Sequence, residues 1–252
     1  MENRNIVMLK DVRGYKRNSM MKVKIATLWR KIMNGTKDKT YRLDMILMDE
    51  MGTFMYCQCY HKVLHNFQKM LQLDETLYIT NPSVSKESNT KYVKHDHKLS
   101  LSDRTTVKKC DNWEGVRYSF NFAKFKSILQ KNFEKNTIID FIGYVRVCYK
   151  LEYIPKKNGV EAPKINFKLL DLEGTEVEAS LWDEKAIQME SFMNEKDRDK
   201  FVFIIVQFGQ VSDYEGKMTL SSSFDASRSS SCVKVDNMKV ESRELIFTGL
   251  GF

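Results

Sequence analysis

The sequence predicts an all-β protein of two tandem barrels, each with a short helix between its third and fourth strands. Three observations carry that expectation. Ile165 to Trp182 alternates apolar and polar residues with the period of two that marks a half-buried strand, and Leu43 to Tyr60 repeats it. Both are broken by the same Asp-x-x-Gly-Thr turn: Asp49, Gly52 and Thr53 in one, Asp171, Gly174 and Thr175 in the other. The copies also keep a constant offset of 122 residues, which sets Leu43, Met45 and Leu47 on Ile165, Phe167 and Leu169, and Tyr60 on Trp182. A repeat of this length means one architecture used twice.

Taken in order, residues 1–20 are polar, with basic Arg13, Lys16 and Arg17, and Val23 to Trp29 reads as a strand. Ile32 to Tyr41 is a loop marked by the turn dipeptide Asn34-Gly35. After the first hairpin, Val63, Leu64, Phe67, Met70 and Leu71 have helical spacing, and Leu77-Tyr78-Ile79 is a strand. A polar excursion, Asn81 to Lys91, then leads to Tyr92 and a last strand in KHDHKLSLS. The second copy follows suit. Ala186, Met189 and Met193 mark its helix, Phe201 to Phe208 its fourth strand, and Val211 to Leu220 a hairpin with Tyr214 at the tip. Three strands, a helix and two strands is the order of the OB fold, which binds oligonucleotides across strands two and three and the loops beside them.

The expected domains are 1–105 and 138–235, with a connector at 106–137 and a tail at 236–252. The connector is neither Gly/Ser-rich nor Pro-rich, and it carries Trp113, Tyr118, Phe120, Phe122, Phe125 and Ile128. Phe122, Phe125 and Ile128 or Leu129 would share one face of a short helix. Such a segment is expected to pack on a domain rather than hang as a flexible string.

Composition narrows the function. With 252 residues, 42% of them hydrophobic, the chain can bury a core. Five cysteines without a C-x-x-C pair, and no opening signal peptide, point to reduced thiols in an intracellular protein. No apolar run approaches the roughly 18 residues of a membrane helix, so no membrane is expected. The net charge of +8 is uneven: residues 1–105 carry +8, 106–137 +4, 138–235 −3 and the tail −1. A polyanion would be drawn to the front half.

The candidate chemistry is stacking and phosphate contact. Trp182 falls in phase with the polar face Glu176, Glu178 and Ser180, where a large aromatic has no packing reason to be, and Tyr214 tips the second hairpin. Aromatics on hairpin surfaces among Lys and Ser suggest a platform for flat ligands, with ordinary cross-strand packing as the alternative. Lys22, Lys24 and Arg30 on or beside the first strand, Lys37 and Lys39 in the next loop, and Lys91, Lys94 and Lys98 near the last strand form the basic set of the first domain. Arg146, Lys168 and Lys217 take comparable places in the second. Cys57-x-Cys59 with His61, and His95-x-His97, lack the spacing of a zinc knuckle, so neither a metal nor another cofactor is expected. There is no P-loop, nucleophile elbow or spaced His-Asp pair, so no enzyme is expected either.

LLDLEGTEVEASLWDEKA, QVSDYEGKMTLSSS and FNF…IIDFIGYV closely resemble the tandem central domains of the large subunit of replication protein A. The likeness is greatest to the plant forms, in which LKDVRGYKRNSMMKVKIATLW also has a counterpart. The resemblance implies a nuclear protein that binds single-stranded DNA with little sequence preference in replication, recombination or repair. It also implies two base-stacking aromatics per domain, Trp182 and Tyr214 in one and Tyr60 and Tyr92 in the other. Other replication protein A-like subunits would be partners. Two readings remain beside it: a binder of single-stranded RNA or telomere ends, and an OB scaffold whose grooves hold protein.

Overall fold

The computed structural model describes residues 6–14, 18–33, 35–36, 39–87, 92–155, 159–195, 201–223 and 228–235, the last stretch by its backbone alone. The chain divides into two compact units, Met1–Ser119 and Phe120–Phe252.

The first unit contains β1 (Met20–Ile32), β2 (Thr40–Asp49), β3 (Phe54–Tyr60), α1 (His61–Phe67), β4 (Thr76–Thr80), β5 (Ser83–Lys86), β6 (His97–Leu101) and β7 (Thr106–Lys109). The sheet runs β5-β6-β3-β2-β1-β4-β7. All its pairings are antiparallel except β3 with β6. Only Asn81 and Pro82 separate β4 from β5. Asn81 sits at φ 55, in the left-handed region that Asn tolerates best among residues with a Cβ, and Pro82 has no N–H for a ladder. β4 and β5 are therefore two halves of one bent strand, and the bend closes the path from β5 through β6, β3, β2 and β1 to β4 into a barrel, with β7 added outside it.

The second unit contains α2 (Phe125–Leu129), β8 (Ile138–Cys148), β9 (Glu152–Pro155), β10 (Glu161–Leu170), β11 (Glu176–Trp182), α3 (Glu184–Asn194), β12 (Phe201–Tyr214), β13 (Lys217–Ser221) and β14 (Arg228–Val235). Its sheet runs β11-β13-β12-β8-β10-β9, and an added β10–β11 pairing closes it; β11 and β13 are parallel. The long strand β12 turns its corner at Phe208, also at φ 55, where the register to β8 jumps between Val206 and Gly209. Both barrels have the predicted order, with α1 between the third and fourth strands and α3 likewise once β9, a short addition beside β10, is set apart: the chain is two tandem OB folds.

The repeated turn has a local cause. Asp49 Oδ1 accepts the N–H groups of Met51 and Thr53, and Asp171 Oδ1 accepts those of Glu173 and Thr175. Gly52 and Gly174 follow at φ 80 and 76, where a Cβ would be strained. The shared signature thus builds a turn rather than a site. Below it, alternation fills the two cores. Leu43, Met45, Leu47, Met55, Cys57 and Cys59 face inward in the first barrel. Ile165, Phe167, Leu169, Val177, Ala179 and Leu181 do so in the second.

Residues 106–137 are divided between the units. Thr106–Lys109 is an added strand beside β4. Residues 112–119 lie along the first barrel: the Glu50 carboxylate accepts the Glu114 N–H at 2.9 Å, the Val116 N–H bonds to the Glu50 carbonyl, and a Cβ on Gly115 would collide with the Glu50 backbone. Phe125 and Ile128 of α2 are buried in the second core, while Leu129 is exposed. In that unit Asp140 takes the N–H groups of Asn121 and Phe208, each at 2.9 Å. Burial raises the Asp140 pKa more than these bonds lower it.

Candidate nucleic-acid interface

In the second barrel the outer face of β11 presents Glu176, Glu178, Ser180 and Trp182. Register sets them against Leu170, Lys168, Asn166 and Lys164 of β10. Trp182 is half-buried, and the Lys164 ammonium stands 5.0 Å from its ring centroid, a cation–π contact. Its backbone N–H donates to Ser222 Oγ at 3.1 Å, which ties the position to the end of β13. Tyr214 is 69% exposed, at the mouth of a two-residue turn formed by Glu215 and Gly216, both at positive φ. The large apolar surface of an exposed tyrosine beside Lys217 suits a flat ligand.

The three basic candidates of this barrel all meet carboxylates of β11. Arg146 Nη1 and Lys168 Nζ both reach Glu176, at 2.8 and 3.0 Å, and Lys217 Nζ reaches Glu178 at 2.6 Å. The hydrogen bond between Lys168 and Glu176 raises the lysine pKa and lowers that of the glutamate. These pairs are solvated, so they are weak and exchangeable.

The first barrel is built differently on the same face. Register sets Arg42, Asp44, Ile46 and Met48 of β2 against Tyr60, Gln58, Tyr56 and Phe54 of β3, with Trp29 of β1 opposite Asp44. Arg42 forks onto the buried Asp44 carboxylate at 2.6 and 3.1 Å. Burial opposes the charge on Arg42, but Asp44 more than compensates and raises its pKa. Tyr60 is held between the Arg42 guanidinium, 5.7 Å from its ring centroid, and the edge of Tyr41 at 5.6 Å. Tyr92 does not stand free. Its ring centroid lies 4.9 Å from Trp29 and 5.7 Å from Tyr56, and Trp29 and Tyr56 stack at 6.1 Å. Burial and the Asp44 charge push the Tyr56 phenol well above its ordinary range. Trp29 Nε1 is buried with no hydrogen-bond partner among the described residues.

The basic set of the first barrel is scattered. Lys22 is buried, paired with Glu50 at 2.6 Å and donating to the Asn112 carbonyl. Burial works against its charge, yet the bond to Glu50 prevails and raises its pKa. Lys24 is also buried. It meets Asp74 at 3.1 Å, the Arg117 carbonyl at 3.0 Å and the face of Tyr118 at 4.9 Å. These two lysines, expected to face phosphate, instead hold residues 112–118 to the barrel, because desolvated ammonium groups need anionic and carbonyl partners. Arg30, Lys39 and Lys94 are exposed, although strand alternation sets Arg30 on the face opposite Trp29. Lys98 lies 3.5 Å from Glu87. Lys37 and Lys91 fall outside the described residues.

The metal-like pairs have structural duties. Cys57 and Cys59 are buried in the core, and burial pushes the Cys59 thiol up to about 12. His95 Nδ1 accepts the His97 N–H at 3.0 Å, which leaves Nε2–H to donate to the Leu9 carbonyl at 3.0 Å. Sequence reasoning missed Trp29, Arg42, Tyr56 and Lys164. Extending the period of two back from Tyr60 would have found Tyr56.

Comparison with known proteins agrees with this architecture. Residues 10–131 match the domain of unknown function DUF223, and residues 128–233 match the replication protein A OB domain. The chain is 26% identical over 183 residues to a replication protein A 70 kDa DNA-binding subunit of Arabidopsis thaliana, covering 71% of this chain and 23% of that one. It is 28% identical over 178 residues to the 70 kDa DNA-binding subunit of Gallus gallus, covering 68% and 27%. It thus spans about a quarter of the length of the curated relatives it matches. A solved replication protein A heterotrimer bound to ssDNA superposes with a TM-score of 0.60 at 15% identity, over 93% of this chain and 52% of that one.

Proposed function

For a chain similar in sequence to the 70 kDa subunits of replication protein A, and built of two OB folds like theirs, we propose sequence-nonspecific binding of single-stranded DNA. Its working domains are residues 1–105 and 138–235, and it protects exposed strands in nuclear replication, recombination or repair. The observation that carries this reading is the open face of the second barrel, where Trp182 backed by Lys164 and the exposed Tyr214 offer π-surfaces beside exchangeable cations. Any base has a π-face, so such a platform tolerates any sequence. Arg146, Lys168 and Lys217 would trade Glu176 and Glu178 for phosphate, and Arg30, Lys39, Lys94 and Lys98 add positive charge to the first barrel. The stacking role of Tyr60 and Tyr92 fits their half-exposed positions, with Tyr92 leaving Trp29 and Tyr56 to meet a base. Other replication protein A-like subunits are the proposed protein partners. The protein is assigned a binding role and no catalysis, and no helix among the described residues is long and apolar enough to cross a membrane.

The test is a salt-titrated binding series of the intact chain on oligo-dT, the matched duplex and the matched RNA. Tight, salt-dependent binding to oligo-dT with much weaker duplex binding is expected. Equal affinity for duplex would overturn the reading, and tighter RNA binding would replace it with an RNA one.

A further inference from the structure

The internal repeat extends to a position that the 122-residue offset hides. In the first barrel one cross-strand row reads Trp29, Asp44, Gln58. In the second, Asn166 and Ser180 stand at the offset of 122 from Asp44 and Gln58 and are opposite each other. The residue beside Asn166, one past the end of β8, is Tyr149: Cys148 is in register with Phe167, and the Tyr149 N–H donates to the Asn166 carbonyl at 2.9 Å. Tyr149 is therefore the counterpart of Trp29, at an offset of 120. Cys148 packs against the core, so strand alternation turns Tyr149 to the outer face. Lys168, on that same face, lies within electrostatic reach of its phenol.

The first barrel shows what rings at these positions do. Trp29 and Tyr56 stack, only 18° from parallel, Tyr92 packs tilted against both, and Trp29 is just 8% exposed. At the offset of 122, Tyr92 becomes Tyr214 and Tyr56 becomes Glu178. The second barrel thus keeps two of the three aromatics and lacks the ring that packs against both of them. Glu178 is held aside by Lys217, and Tyr149 is left 48% exposed.

We propose that Tyr149 is a third base-stacking residue of the second barrel, and that a base of the bound strand there takes the place filled in the first barrel by the Tyr56 ring. The inference rests on the single-stranded DNA reading and deepens it. The base lies against Tyr149 and Tyr214, with Arg146 and Lys168 near enough to meet its phosphates.

The experiment measures oligo-dT affinity for intact Tyr149→Ala, Tyr149→Leu and Tyr149→Phe chains, with Trp182→Ala as a control and thermal unfolding of each. Tyr149→Ala is expected to weaken binding about tenfold, within the range of about 5- to 150-fold for one stacked base. Tyr149→Leu should lose as much as Tyr149→Ala, because it keeps apolar packing but no π-face. Tyr149→Phe should bind like the parent chain, and the unfolding midpoints should agree. Recovery by Tyr149→Leu would make the residue a packing element and overturn the proposal. Parent-like affinity of Tyr149→Ala beside a weakened Trp182→Ala would overturn it and leave the DNA reading standing. Parent-like affinity in both would remove the stacking platform and the proposal together, whereas a parent chain that fails to bind oligo-dT at all would remove the DNA reading itself.

Discussion

The two barrels share an order of strands, a turn signature and a phase of burial, yet they treat the same outer face in opposite ways. The first closes it: Trp29 and Tyr56 are buried, Tyr92 packs on both, and Arg42 and Asp44 satisfy each other under Tyr60. The second opens it: Tyr149 and Tyr214 face water, and the charges beside them are paired only at the surface. A ligand on the second barrel finds its platform ready. One on the first must displace aromatic contacts already made, and the energy of those contacts is subtracted from its affinity. An OB fold therefore does not by itself guarantee an open groove; the side chains on strands one to three decide that.

The largest expected effect tests the open face. Replacing both Trp182 and Tyr214 by Ala should weaken oligo-dT binding by about 2–6 kcal/mol if the losses add, with little change in the unfolding midpoint. Fluorescence anisotropy read beside a melting curve checks both parts. Unchanged affinity in the folded double variant would take the platform away, and with it the functional contrast between the barrels.

A smaller effect, about 3 kcal/mol, is expected in the stability of the first barrel for Glu50→Gln, which leaves the Lys22 ammonium buried without its counter-charge. Glu50 is held below its ordinary pKa, because Lys22 and the Glu114 and Gly115 N–H groups outweigh its burial. Its stabilisation is therefore complete above the usual carboxylate pKa and lost as pH falls through the depressed one. Lys22 is raised, so its share survives until pH climbs past the ordinary lysine value. Denaturant unfolding between pH 3 and 7 should show an acid loss in the parent that is reduced in Glu50→Gln. Equal curves would sever Glu50 from the anchoring of residues 112–119.

Tyr92→Ala sharpens the comparison from the other side. Because Tyr92 packs on Trp29 and Tyr56, its removal should cost the first barrel about 1–2 kcal/mol of stability as well as some affinity. Tyr214→Ala should cost affinity alone. If calorimetry finds the two variants equally stable, the first face is no more closed than the second.

The smallest effect concerns charge. Glu176→Gln with Glu178→Gln should free Arg146, Lys168 and Lys217 for phosphate. The log–log salt slope should then steepen by about 0.7 for each additional phosphate neutralised. A slope that does not move would mean that the carboxylates do not compete with the strand.

The fold was legible in the sequence because it is written in local terms. Alternation sorts Ile165, Phe167 and Leu169 from Asn166 and Lys168 whatever the rest of the chain does, and an Asp four residues before a Thr, with a Gly between, closes its own turn. Trp182 and Tyr214 could be singled out for the same reason, since strand phase and a hairpin tip are local properties. The fate of the cations could not be read this way. Lys22 and Lys24 look like groove residues until Glu50, Asp74, Asn112 and Arg117 arrive from distant parts of the chain. Nor could the burial of Trp29 beneath Tyr56 and Tyr92, or the equivalence of Tyr149 with Trp29, which register alone reveals. Which side chains a strand turns outward depends on a two-residue period and can be read from the sequence; what then covers or pairs them depends on residues brought close only when the barrel closes.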